Sequence, residues 1–271
     1  MDWLQALVLG IVEGLTEYLP VSSTGHLLLT QRWMEIPKDE ASHAFAIAIQ
    51  AGAIVAVLGL YRARVGQIFR GLAGKDVGGR KLALALLVAF APAAVLGPLF
   101  DEKIEEQLAH PAPICLALLV GGLAILGGSF WRRQKGRTEQ AAGDLLSLSL
   151  RGALVIGLIQ CLAMWPGTSR SLVTIVGGLL VGLRMAAAVE FSFLLGLVTL
   201  GAATAYTAVN DGALMLESYG ILPLLIGFLG AWVAAVISVK WMVAWLQKHG
   251  LEIFGYYRVI LAAVVWFVLV D

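Results

Sequence analysis

Six stretches of this 271-residue chain, at 44–61, 81–100, 112–131, 189–209, 218–240 and 251–270, are apolar over about the length that crosses a bilayer. Backbone amides and carbonyls in hydrocarbon have only one another to bond, so a spanning segment of this kind is a helix. That constraint sets the fold class: an all-α polytopic membrane protein with six transmembrane helices. Composition agrees, with 14% charged residues against roughly 25% in a soluble domain. The spans follow one another too closely for a separate soluble domain. A net charge of +1 gives no electrostatic footing for nucleic acid. Met1-Asp2-Trp3 lacks the positive region of a cleavable signal. Cys115 and Cys161 lie in apolar surroundings and read as small buried hydrophobes.

Two further regions, 3–34 and 150–183, are too long for one span, and each is interrupted, by Pro20 and by Pro166-Gly167. Proline removes a donor and clashes with the preceding turn, so each region predicts two half-helices around a polar tip. Irregular backbone at membrane depth persists only where it lines a cavity or is buried in protein. Both regions therefore read as re-entrant helical hairpins. They also resemble each other. A shift of 146 residues brings Pro20 onto Pro166, Ser22 onto Thr168, Ser23 onto Ser169 and Phe45 onto Phe191, and GIVEGL (10–15) matches GLIQCL (157–162) after a one-residue gap. The chain thus divides into a first repeat, 1–131, a cytoplasmic linker, 132–147, and a second repeat, 148–271. Each repeat is a hairpin followed by three spans. An odd number of spans makes the second repeat inverted relative to the first.

Charge placement gives the orientation. Fourteen of the nineteen Lys and Arg residues fall on one set of loops and span ends, chiefly 62–81 and 132–137, and three (Arg32, Lys38, Lys103) on the other. The positive-inside rule puts the first set in the cytoplasm and both termini outside. Asp101–Glu106 then reads as a solvated external loop. Arg170 and Arg258 remain inside the membrane. Inverted repeats with broken helices meeting near the midplane are also a transporter design.

The polar residues concentrate at the two tips. Glu13 and Glu17 share a helix face at (i, i+4), and intramembrane acids are functional-site candidates with a cationic or metal partner. Pairing with Arg170 or Arg258 is the structural alternative. Ser22, Ser23 and Thr24 suit the N-cap of the half-helix after Pro20. His26, on its first turn, titrates near neutral pH and suits a proton donor, a base or a nucleophile. The second tip, PGTSRSLVT (166–174), turns at Gly167 and presents Thr168, Ser169, Ser171 and Thr174. A helix N-terminus attracts anions, and Arg170 adds a fork suited to phosphate. These features together read as a phosphate cradle. Arg258, in YYRVI, neutralises an acid, binds phosphate, or snorkels from a position nearer a span end.

Glu13-Gly14-Leu15-Thr16-Glu17, Pro20–His26 (PVSSTGH) and Pro166–Thr174 together resemble the motifs of the undecaprenyl-diphosphate phosphatase, or bacitracin-resistance, family, (E/Q)xxxE, PVSSTGH and PGxSRSxxT. Length and hairpin placement extend the resemblance over the whole chain. It implies an integral membrane enzyme that cleaves C55 isoprenyl diphosphate to undecaprenyl phosphate and inorganic phosphate, recycling the carrier for peptidoglycan synthesis and conferring bacitracin resistance. It also implies a homodimer in the bacterial cytoplasmic membrane with the site opening outward. Glu17, Ser23, His26 and Arg170 would be catalytic. Ser22, Thr24, Gly167, Thr168, Ser169, Ser171, Thr174 and Arg258 would bind substrate phosphate. Glu13 with Glu17 would hold any metal, Mg²⁺ or Ca²⁺ being the ions that carboxylate and phosphate oxygens suit. Ser23 is the first choice of nucleophile, with direct attack by His26 or by water as alternatives. A transporter or flippase for the same lipid is the competing function, because hairpins and buried charge fit both.

Overall fold

The computed structural model describes residues 1–134 and 143–270. Half of the expected 132–147 linker, residues 135–142 with Lys135 and Arg137 among them, lies outside them. Among the described residues the fold is α-helical, with one isolated parallel bridge between Gly143 and Leu183. Six helices are long and apolar enough to cross a membrane. They are α3 (Glu40–Leu60), α5 (Val77–Leu108, apolar through Phe100), α6 (Pro111–Gln134), α9 (Met185–Asn210), α11 (Ile221–Leu246) and α12 (Glu252–Leu269). Short helices α4 (Arg62–Leu72) and α10 (Gly212–Tyr219) connect spans. The stretch 101–106, expected as a loop, instead continues α5 to Leu108. The sequence DEKIEEQL holds no glycine or proline and consists mostly of good helix formers.

Both interrupted regions break where the prolines require. The first gives α1 (Trp3–Thr16) and α2 (Ser23–Trp33). The second gives α7 (Leu150–Gln160), a 3₁₀ turn over Cys161–Met164, and α8 (Arg170–Leu180). Asp2 starts α1 through a reciprocal capping box with Gln5. At the start of α2 and α8 the backbone is unusual in the same way. Ser22 has φ 74°, ψ 100°, and Ser169 has φ 73°, ψ 110°. A non-glycine residue at positive φ is uncommon and costs about 1–3 kcal/mol; here it recurs, in nearly the same conformation, at two serines 147 residues apart. Ser22 occupies the N-cap position, but its hydroxyl makes no capping bond, whereas Ser169 Oγ accepts from Leu172 N–H at 3.3 Å.

The halves interlock. α1 packs along α11, α7 along α5, α3 against α9, and α6 against α12. Close approach depends on small residues, as in membrane helix pairs generally. A Cβ on Gly14 of α1 would overlap the Ala231 carbonyl of α11, and Ser238 Oγ donates to Gly14 O at 2.9 Å. Gly14→Leu is therefore expected to lower stability by about 1–3 kcal/mol through overpacking, read as thermal unfolding in detergent. An unchanged melting temperature would mean that α1 and α11 are farther apart than described.

Outside the spans, two carboxylates tie connecting segments. The Gly79 amide and then Gln67 hold Asp76 below the usual carboxylate range. The Leu145 amide and then Arg184 do the same for Asp144.

Candidate active site

Pro20 and Pro166-Gly167 end α1 and the α7 turn inside the protein, which leaves tip carbonyls without intrahelical partners. Side chains from the opposite tip supply them. Ser171 Oγ donates to Leu19 O at 2.8 Å, and Ser169 Oγ lies 3.0 Å from Ser171 Oγ. Arg258, from α12, donates through Nη2 to Gly167 O (2.9 Å) and Ala117 O (3.0 Å), and through Nη1 to Pro20 O (3.5 Å). One guanidinium thus binds both tips. Of the three roles the sequence left open for Arg258, snorkelling from a span end is excluded: the residue is completely buried, because α12 lies against α6 and turns it inward.

Where the tips meet, three groups form a chain. Ser23 Oγ donates to Glu17 Oε2 at 2.6 Å, and Arg170 Nη2 donates to Glu17 Oε1 at 3.0 Å. Each carboxylate oxygen of Glu17 therefore has its own donor, one from each tip. Arg170 Nη1 is anchored on Ser192 O at 3.0 Å, and its guanidinium lies 5.2 Å from the centroid of the Tyr18 ring. Ser23 is partly exposed and Thr24 exposed, so the chain reaches a surface. Glu13 sits beside Glu17 and is fully buried. Among the described residues neither of its carboxylate oxygens has a hydrogen-bond donor. Like charges this close call for a shared proton or a cation.

His26 faces elsewhere. Its Nδ1 is 2.7 Å from Ser22 O, and its Nε2 is 2.7 Å from Tyr257 Oη. A carbonyl oxygen only accepts, so Nδ1 carries the proton and Nε2 holds the free lone pair of the neutral ring.

The geometry can activate a hydroxyl with a carboxylate next to a fixed cation. The model of one family, bacitracin resistance protein BacA, matches residues 6–264. This chain belongs to the BacA family. Undecaprenyl-diphosphatase from Sorangium cellulosum (strain So ce56) is 44% identical over 98% of this chain and 86% of its own length. Undecaprenyl-diphosphatase from Acinetobacter baumannii (strain AYE) is 40% identical over 97% and 94%. Undecaprenyl-diphosphatase 1 from Chromobacterium violaceum is 41% identical over 96% and 94%.

Within this BacA-family fold the residues singled out from sequence fall into two groups. Glu13, Glu17, Ser23 and Arg170 come together. Ser22, Ser171 and Thr174 are buried, and the hydroxyls of the last two bond protein. Thr174 Oγ1 donates to Arg170 O at 2.8 Å and meets Ser192 Oγ at 2.7 Å. Thr168 and Ser169 are partly exposed, and Gly167, at φ +96°, gives its carbonyl to Arg258. Three participants had no sequence signal strong enough to find them. Tyr18 and Tyr257 read as ordinary aromatics, although each adjoins an intramembrane charge in sequence. Ser192 lies on α9, far from either motif.

Proposed function

We propose that this chain is an integral membrane phosphatase that hydrolyses undecaprenyl diphosphate to undecaprenyl phosphate and inorganic phosphate, recycling the lipid carrier for cell-wall synthesis and conferring bacitracin resistance. The observation that carries this reading is the Ser23–Glu17–Arg170 chain, with its 2.6 Å and 3.0 Å bonds. Moving a lipid needs a place to bind it. It does not need a serine hydroxyl seated on a carboxylate that is itself held by an arginine. The names of relatives at 40–44% identity point the same way.

Phosphoryl transfer mainly needs positioning and stabilisation of spread negative charge. Ser23 Oγ attacks the terminal phosphorus as its proton passes to Glu17. The bond from that phosphorus to the bridging oxygen breaks, and the lipid monophosphate leaves. Arg170 and the first amides of α8, which precede any helical hydrogen bond, face the phosphoryl oxygens. Water then attacks the phosphoseryl group and gives a proton to His26 Nε2, while Glu17 returns its proton to Ser23 Oγ. Phosphate leaves, and the imidazolium releases its proton to water. Ser23 is preferred to His26 as the nucleophile because its hydroxyl already donates to Glu17, the base that takes its proton. In this scheme Ser171, Thr174 and Arg258 brace the tips, Ser22 orients His26 through its carbonyl, and Thr24, Thr168 and Ser169 line the approach of the diphosphate.

Mg²⁺ or Ca²⁺ fits the donor-free carboxylate of Glu13, with Glu17 beside it. Among the described residues no third acidic, histidine or cysteine ligand joins them, so phosphate oxygens and water would complete the shell. Such an ion would neutralise charge on the phosphates.

The same reading places the chain in the bacterial cytoplasmic membrane with the site opening outward, supported by the charge asymmetry of the loops. Two inverted repeats, 1–131 and 148–271, each led by a re-entrant hairpin, are supported by the matching Ser22 and Ser169 conformations and by the exchanged packing of α1 and α7. Homodimerisation rests on the family resemblance alone.

Phosphate release from C55 diphosphate by purified protein in detergent tests the reaction, since a detergent micelle has no two sides to transport between. Wild type is expected to release phosphate, and Ser23→Ala to lose about a hundredfold or more. A folded wild type that releases none, with and without Mg²⁺ or Ca²⁺, would leave lipid transport as the function.

A further inference from the structure

His26 handles a proton in the proposed reaction but is not bonded to the Ser23–Glu17–Arg170 chain; its ring nitrogens meet Ser22 O and Tyr257 Oη. We infer that Tyr257 is its positioning residue and the outlet for its proton, an inference that rests on the phosphatase reading above.

Three observations carry this. The Tyr257 hydroxyl is 2.7 Å from His26 Nε2, the nitrogen that gains and loses a proton. The two rings are within 3° of parallel, with centroids 5.6 Å apart. Tyr257 also adjoins Arg258, whose guanidinium is bonded to both tips, so its backbone position is tied to the site rather than free to drift with the outer face of α12.

Chemistry explains why tyrosine suits this place. A base that cycles between neutral and cationic forms needs a partner that serves both. The Ser22 carbonyl can only accept, and so fixes Nδ1–H in either form. A phenol does both: it donates to the neutral Nε2 lone pair and turns to accept from the imidazolium N–H. His26 is partly buried, while Tyr257 is 44% exposed. The hydroxyl sits directly on Nε2, so a proton that leaves this nitrogen passes to it. Glu17 already serves Ser23, so the His26–Tyr257 pair acts in the second half-reaction, hydrolysis of the phosphoseryl group, and not in its formation.

The experiment uses purified full-length protein in detergent with C55 diphosphate labelled in the terminal phosphate, followed by rapid acid quench. Tyr257→Phe keeps the ring and removes the hydroxyl. It is expected to lower kcat about tenfold, the equivalent of one lost hydrogen bond, with KM not raised. Labelled protein should accumulate, because the serine is still phosphorylated but slowly cleared. The same substitution in a His26→Ala background should cost nothing more. Tyr256→Phe, an exposed neighbour on α12, should behave as wild type. Full turnover without label in Tyr257→Phe overturns the inference, and so does an equal further loss on His26→Ala, which would make Tyr257 independent of the histidine. A wild type that releases no phosphate overturns the reaction itself, and the inference with it.

Discussion

Arg170→Ala is expected to reduce phosphate release by about three orders of magnitude or more, the range seen when an arginine is removed from a phosphoryl-transfer site. Two effects combine. The guanidinium is the cation placed where charge spreads over the transferred phosphoryl group, and a partly buried site magnifies its contribution. It also holds Glu17 Oε1 at 3.0 Å, so its loss frees the carboxylate that orients Ser23. Arg170→Lys keeps the charge but loses the fork that spans Glu17 and Ser192 O. It should recover only a small part of the rate. Ground-state binding is dominated by the long apolar tail, so the loss should fall on kcat more than on KM. A fall in KM-dependent binding alone would mean that Arg170 docks the lipid headgroup without acting on the transfer.

Arg258→Met should give the largest loss of stability of any single site substitution, about 3–5 kcal/mol, and should abolish activity although the residue touches none of the Ser23–Glu17–Arg170 chain. Hydrogen bonds to a charged group contribute about 1.5–3 kcal/mol each, and two bonds of 2.9–3.0 Å would be lost. The carbonyls of Gly167 and Ala117 would be left buried and unpaired, with no water at that depth to replace the donor. The α6 backbone closes on the guanidinium, and a Cβ on Gly121 would overlap it. The site is therefore shaped around an arginine, and Arg258→Lys should not rescue. Thermal unfolding in detergent measures this. The alternative from sequence, that Arg258 binds substrate phosphate, makes the opposite forecast: an unchanged melting temperature and a raised KM.

Much of this was legible in the chain alone. Six spans followed from apolar length, and the two breaks from Pro20 and Pro166, because hydrocarbon leaves the backbone few choices. Glu17, Ser23 and Arg170 stood out because charge and hydroxyls are costly in such surroundings. The continuation of α5 through residues 101–108 was missed, since a charged segment after a span reads equally as loop or helix. The shared torsion of Ser22 and Ser169 was beyond reach, because no sequence displays a backbone angle.

Pairing was another matter. That Glu17 accepts from Ser23 on one oxygen and from Arg170 on the other, that His26 turns away to Tyr257, and that Arg258 joins carbonyls of both tips depend on elements far apart in the chain. Hydrophobicity and proline act locally, over a turn or a span, so the amino-acid order alone determined the helices, their breaks and the residues at stake. A hydrogen bond depends on direction and on tenths of an ångström between separate helices. Only the packing of α1 on α11, α7 on α5 and α12 on α6 decided which of those residues meet, and so which can act together.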